Sequence, residues 1–215
     1  MEYEVSFFDF DYKSLIKNIK KLGGKKIHSM AVYNISFFKL CNKNDFKDGF
    51  VRVRDENGTV TLTTKIFESK NTKYPKEYET TVDSKFEDVI KILESAGLEN
   101  SLKSIKFREK WSFPGAHEIV FDLWPGLPIV LEIDCTSESA LKKTCEKLNL
   151  DMSKSFTEYK YTHLFGIDKK ITEKIPYLNF TNYNKLLKKH VKKNKELFNS
   201  LTKNYYNQFN KKLLL

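Results

Sequence analysis

Cysteine, proline and glycine are scarce in this chain: three, five and eight among 215 residues. Cys41, Cys135 and Cys145 share no C-x-x-C or finger-type spacing, which excludes a cysteine-built metal site or a disulfide framework. An odd count suits a reducing setting, so a cytoplasmic location is expected. Few Gly and Pro exclude a low-complexity or collagen-like chain. No apolar run approaches the ~20 residues of a membrane-spanning helix, and the charged opening Met1-Glu2-Tyr3-Glu4 is unlike a secretory leader. A Gly-x-x-x-x-Gly-Lys loop is absent, so phosphate binding of the P-loop kind is excluded. His28, His117, His163 and His190 are scattered without metal-ligand spacing and are expected at the surface or in packing. What remains is a chain that is 40% hydrophobic, with 17 Phe and 11 Tyr, ample for the core of one domain with an appendage.

Charge is unevenly spread. From Asn182 to Lys212 there are nine Lys, no Arg and one acid, Glu196, so this stretch carries +8 of the formal +10 and the remainder +2. A Lys- and Asn-biased genome accounts for such a tail as readily as a function does.

The most informative stretch is Glu2-Tyr3-Glu4. Glu77-Tyr78-Glu79 repeats it, and Glu132-Ile133-Asp134 is a third version, each followed by a helix-like segment. Carboxylates at i and i+2 share one face of a strand but point far apart on a helix. Paired acids repel, so a metal ion or basic groups must compensate.

In chain order, a strand continues through Val5 to Phe10. Asp11 is a plausible N-cap for a helix carrying Leu15, Ile16, Ile19 and Leu22, ending at Gly23-Gly24. A strand near Val32 to Leu40 and a polar loop over Asn42 to Gly49 follow. Phe50 to Arg54 alternates, with Arg52 and Arg54 opposite Val51 and Val53. Asp55-Glu56-Asn57-Gly58 is a hairpin turn, and Thr61, Thr63 and Lys65 share a face of the return strand. After a polar loop over Phe67 to Lys76, the strand Glu77 to Val82 leads to a helix with a Ser84/Glu87 capping box, closed by Gly97. Lys106, Arg108 and Lys110 lie opposite Phe107 and Trp111. Asp122 lies opposite Ile119, Phe121 and Leu123. Glu132 and Asp134 lie opposite Ile129, Leu131 and Ile133, and Thr136 or Ser137 caps a third helix. Seven or eight strands and three helices result, in a mainly antiparallel sheet.

Nearly every strand thus has one apolar and one charged face. An open sheet with a solvated charged face explains any single strand. Across the set, acids pair with acids and bases with bases. That segregation suits a barrel or tunnel with charges inside and helices outside, binding a cation with one cluster and a polyphosphate with the other.

From Met1 to about Phe180 the chain resembles the CYTH superfamily, the triphosphate tunnel metalloenzymes, which includes class IV adenylyl cyclases and thiamine and inorganic triphosphatases. The resemblance rests on Glu2-x-Glu4, Arg52-x-Arg54, the Lys65 that closes Leu62-Thr63-Thr64-Lys65, Glu77-x-Glu79, Lys106-x-Arg108, Asp122 and Glu132-x-Asp134, in that order. It implies an α+β fold with a closed or nearly closed antiparallel β-barrel and helices packed outside. It also implies Mg²⁺ or Mn²⁺ held by Glu2, Glu4, Glu132 and Asp134. Arg52, Arg54, Lys65, Lys106 and Arg108 would hold phosphates, and Glu4, Glu77, Glu79 and Asp122 would serve catalysis, the last three through a second metal or a positioned water. The implied activity is hydrolysis of an inorganic, nucleoside or other organic triphosphate. Adenylyl cyclase and a non-catalytic polyphosphate-binding module are the alternatives. Two positions depart from the family pattern. Ser6 stands where the first motif, Glu-x-Glu-x-Lys, has its lysine, which puts in question any step that depends on that lysine. Asp134 in place of Glu shortens one metal ligand by a methylene.

The tail, residues 181–215, reads as one amphipathic helix. Tyr183, Leu187, Val191, Phe198, Leu201, Tyr205 and Phe209 recur at helical steps. It is expected to dock on the barrel or to pair two copies. The sharper alternative is a nucleic-acid contact, against which the absence of Arg counts.

Overall fold

The computed structural model describes residues 3–40, 48–67 and 76–208. Glu2, Phe209 and most of the two expected polar loops lie outside the described residues. Strand β1 (Tyr3–Phe7) leads to α1 (Tyr12–Lys21), β2 (Lys25–Lys39), β3 (Asp48–Glu56), β4 (Thr59–Phe67) and β5 (Lys76–Val82). There follow α2 (Phe86–Ser95), β6 (Asn100–Phe113), β7 (Ala116–Leu123), β8 (Val130–Cys135) and α3 (Glu138–Lys147). The remainder holds α4 (Lys160–Phe165), α5 (Lys169–Thr172), β9 (Tyr177–Leu178), α6 (Tyr183–Leu187) and α7 (Lys195–Gln208).

The sheet runs β1-β8-β7-β6-β2-β3-β4-β5, antiparallel at each step. It curls into a half-barrel, and no pairing joins β5 to β1 among the described residues. The curl is felt electrostatically. Lys65 on β4 acts on Glu4 of β1 and Asp134 of β8, and Arg54 on β3 acts on Glu118 of β7. Two-residue β9 lies parallel to β6 at Lys103 and Ser104, beyond the point where β7 has ended.

The three strand–helix units appear as expected, β1 to α1, β5 to α2 and β8 to α3. Their helices cover the outside. Leu15 and Ile19 of α1 and Leu141 and Cys145 of α3 pack on Phe107, Trp111, Ile119 and Ile133. Val89 and Ile90 of α2 cover Phe38, Val51, Val53 and Val60. Asp11 and Ser137 cap as expected, each accepting a backbone N–H three residues on. Ser84 does not: its own N–H bonds the Val82 carbonyl in a turn, α2 starts one residue later, and Lys85 occupies the cap with no side-chain bond. Strand β2 begins seven residues before the expected Val32, at Lys25, because register shifts after Lys26 and His28 break the period-two pattern there.

The tail is not one helix. Helix α6 passes through a 3₁₀ turn, Lys188–His190, to extended Val191, and Asn194 adopts left-handed backbone (φ 52°) before α7. The break is stabilised locally. Lys192 and Lys193 donate backbone N–H groups to the Phe165 carbonyl, and Asn194 Nδ2 donates to the Leu164 carbonyl at 2.7 Å. The apolar stripe is nevertheless buried: Tyr183, Leu187, Val191, Phe198 and Leu201 join Tyr161, Phe165 and Leu127 in one cluster, which is the docking expected of it. Gly126 makes this approach possible. A Cβ there would sit 2.6 Å from the Tyr183 ring, and its φ is +78°. Apart from Leu127 the cluster starts at Tyr161, twenty residues before the expected boundary at 181, because α4 and α5 are only six and four residues long, too short to show a helical period in the sequence.

Candidate active site

Alternation places the charged side chains on the concave face, and register arranges them in rows. Arg52 on β3, Thr63 on β4 and Glu79 on β5 are direct cross-strand neighbours. Arg52 Nη2 donates to Thr63 Oγ1 and to Glu79 Oε2, both at 3.1 Å, and reaches Glu77 Oε1 at 3.4 Å. Arg54 Nη2 reaches Glu79 Oε2 at 3.4 Å and pairs with Glu56, while Lys65 lies 2.5 Å from its cross-strand partner Glu77. The buried Nε atoms of Arg52 and Arg54 have no hydrogen-bond partner among the described residues.

The centre of the sheet is a desolvated ion network. Arg108 and Asp122 are directly opposed on β6 and β7, and the guanidinium grips the carboxylate at two points, 2.6 and 2.7 Å. Lys106 Nζ bonds the same carboxylate at 2.6 Å, and Arg108 Nη2 extends to Glu132 Oε2 at 2.9 Å. Asp122 is wholly buried. Burial alone would raise its pKa, but Arg108 and Lys106 overrule it and hold the carboxyl well below the usual range. Burial, with Arg108 beside it, pushes the Lys106 ammonium down to about 7. Lys106 also lies between two rings, 5.7 Å from Tyr33 and 5.0 Å from Trp124.

The acidic flank is a row on three strands: Glu4 of β1 opposes Asp134 of β8, which opposes Glu118 of β7. Burial, reinforced by Glu132, raises the Glu4 carboxyl above its ordinary value. Burial raises Asp134 too, against the pull of His117, whose Nδ1 lies 2.9 Å from Asp134 Oδ2. Glu118 pairs with Lys110 and lies 3.7 Å from Arg108. Asp134 Oδ1 is buried with no hydrogen-bond partner among the described residues.

All the expected site residues within the described range thus face one cleft: Glu4, Arg52, Arg54, Lys65, Glu77, Glu79, Lys106, Arg108, Asp122, Glu132 and Asp134. Glu2 lies outside that range. Sequence reasoning missed Glu56, Glu118, Tyr33, Trp124 and Lys160, and left Lys110 out of the site. Glu118 and Trp124 were open to it, since both alternate with Asp122. Lys160 carries no such signal. It stands on α4, off the sheet, and its Nζ lies 2.5 Å from Glu132 Oε1.

A curled antiparallel sheet with an acidic row and a basic cluster on one face, helices outside, defines a half-barrel of the tunnel type. The CYTH domain model matches residues 1–159, and the chain belongs to that family. The chain has no significant sequence match among curated proteins. Its fold is similar to that of a Pyrococcus horikoshii protein, with 18% identity and TM-score 0.60, covering 74% of this chain and 97% of the other. A Pyrococcus furiosus protein gives 14% identity, TM-score 0.60 and the same coverage. A candidate adenylate cyclase from Vibrio parahaemolyticus gives 16%, 0.58, and coverage of 75% and 95%. No helix among the described residues is long and apolar enough to cross a membrane.

Proposed function

We propose that this chain is a metal-dependent triphosphatase acting on an inorganic, nucleoside or other organic triphosphate. The observation that carries the reading is the acidic row Glu4–Asp134–Glu118 facing Arg52, Arg54, Lys65, Lys106 and Arg108 across one cleft. Five cationic side chains match a polyphosphate, and Arg supplies planar donor forks. The unpartnered Nε atoms of Arg52 and Arg54 are donors ready for phosphate oxygens.

The carboxylates fit a hard divalent cation, Mg²⁺ or Mn²⁺. They are oxygen donors on adjacent strands, and Asp134 Oδ1 is buried without a partner. Glu4, Glu132 and Asp134 would hold it, and the family resemblance adds Glu2, which lies outside the described residues. When bound, such an ion neutralises phosphate charge and polarises the bond to be cleaved. The remaining residues orient. Both oxygens of Asp122 are taken by Arg108 and Lys106, so it fixes the two cations rather than meeting substrate. Glu77 and Glu79 do the same for Lys65, Arg52 and Arg54, in place of a second metal. Positioning and charge neutralisation account for most catalysis of phosphoryl transfer.

A second reading, cyclisation of ATP, is favoured by Tyr33 and Trp124 flanking Lys106 and by the buried, unpartnered Trp124 Nε1, which offer a ring surface and a donor for an organic group. Incubation with ATP and Mg²⁺ or Mn²⁺, with products resolved, separates the two. Release of phosphate is expected. Cyclic AMP with pyrophosphate would make the chain a cyclase, and binding without turnover would make it a binding module.

A further inference from the structure

We infer that Lys160 is the resident counter-ion of the carboxylate cluster, and that a divalent cation enters by displacing its ammonium from Glu132. This rests on the metal reading above. Unlike the other cations of the cleft, Lys160 arrives from outside the sheet. Ser6 and Phe156 exchange two backbone hydrogen bonds, 2.9 and 3.0 Å, which tie the segment before α4 to β1. Tyr161 and Phe165 are buried in the cluster beneath, and Tyr161 Oη donates to the Pro125 carbonyl at 2.7 Å. The first residue of α4 is thereby held over the acidic flank.

Its ammonium occupies one oxygen of a carboxylate that would hold the metal ion. It contacts Glu132 Oε1 at 2.5 Å, its side chain is only 22% exposed, and it acts on Glu4 as well. The other Glu132 oxygen is held by Arg108, so both oxygens of that carboxylate are engaged by cations. The strand itself supplies no cation at this point, because the residue opposite Glu132 on β1 is the short, buried Ser6. Among the described residues no three carboxylates converge as a ready-made metal seat. They are drawn instead toward Lys160, Arg108, Lys110 and His117. An ammonium and a divalent ion at one carboxylate oxygen repel strongly in so desolvated a place. Metal entry therefore requires Lys160 to leave.

The test is a titration of the full-length protein with Mn²⁺ alone at pH 8, read by the electron paramagnetic resonance signal of free Mn²⁺. Lys160→Met should bind Mn²⁺ about fivefold or more tightly than wild type, because the internal competitor is gone. Lys160→Gln is a second variant with the same expectation, kept in case the first fails to fold. Lys169→Met, which removes an exposed lysine paired with Glu173 on α5, controls for net charge and should leave the affinity unchanged. A folded Lys160 variant that binds Mn²⁺ no more tightly than wild type overturns the inference and leaves the metal reading standing. A wild-type protein that binds no Mn²⁺ overturns the metal reading and the inference with it.

Discussion

The two flanks of the cleft are built from the same residue types, yet solvent treats them differently. On β6 to β8 the side chains of Asp122, Lys106 and Arg108 are 0%, 4% and 9% exposed, and every oxygen of Asp122 is bonded. On β3 to β5 the carboxylate facing two arginines, Glu79, is 38% exposed, and both arginines keep an unpartnered Nε. Position in the sheet accounts for the contrast. Strands β6 and β7 have paired neighbours on both sides, whereas β5 ends the pairing order among the described residues. A buried ion network is costly to break, because the partner left behind is an unpaired charge. Contacts to a carboxylate as exposed as Glu79 are cheaper to rearrange, although Arg52 and Arg54 themselves are only 15% and 10% exposed. On the proposed function, the central network is scaffold that orients two cations, and Arg52 and Arg54 are the groups that would change partners when a polyanion binds.

That contrast can be broken by two substitutions. Asp122→Asn should lower stability by about 3–5 kcal/mol, since it strands Lys106 and Arg108 without a full counter-charge. Glu79→Gln should cost less than about 1 kcal/mol, because Glu79 is itself 38% exposed and its two arginines keep Glu77 and Glu56 as partners. Thermal melts of the two variants check this, and equal losses would erase the distinction. Arg52→Ala should invert the pattern. It should reduce kcat/KM for a triphosphate by about ten- to a hundredfold, the worth of ~1.5–3 kcal/mol in charged hydrogen bonds, while the melting point falls less than for Asp122→Asn.

A finer test concerns protons. Burial and Arg108 push Lys106 down to about 7, so its ammonium holds its proton less firmly at pH 8 than an exposed lysine does. A bound polyphosphate favours the charged form and raises that value. Binding tripolyphosphate at pH 8 should therefore draw a proton from solution. Calorimetry in two buffers of different ionisation enthalpy measures the uptake, and Lys106→Met should show less. Equal uptake by both proteins would mean that Lys106 does not meet the anion.

Much of the cleft was legible because a strand has period two: Arg52 with Arg54, Lys106 with Arg108 and Glu132 with Asp134 declare one face each. Alternation does not reveal depth. Nothing in the letters distinguishes Asp122, gripped on every side, from Glu79 at the rim, since that depends on which strands flank them. Lys160 was illegible for another reason. It reaches Glu132 from a six-residue helix whose placement depends on the Ser6–Phe156 bridge and on the bond from neighbouring Tyr161 to the distant Pro125 carbonyl. The tail misled in the opposite direction: a helical stripe from Tyr183 to Leu201 survives a break at Asn194, because the turn between α6 and α7 returns both apolar faces to one cluster.

The central claim is that the cleft cleaves a triphosphate with the help of a metal ion held on its acidic flank. It is tested most directly by phosphate release from inorganic triphosphate with Mn²⁺, after chelation, and after metal is restored, in wild type and Glu4→Gln. The account predicts release that stops with chelator, returns with metal, and is absent from a Glu4→Gln protein that still melts cooperatively. Release that ignores the chelator, or full activity in Glu4→Gln, would contradict it.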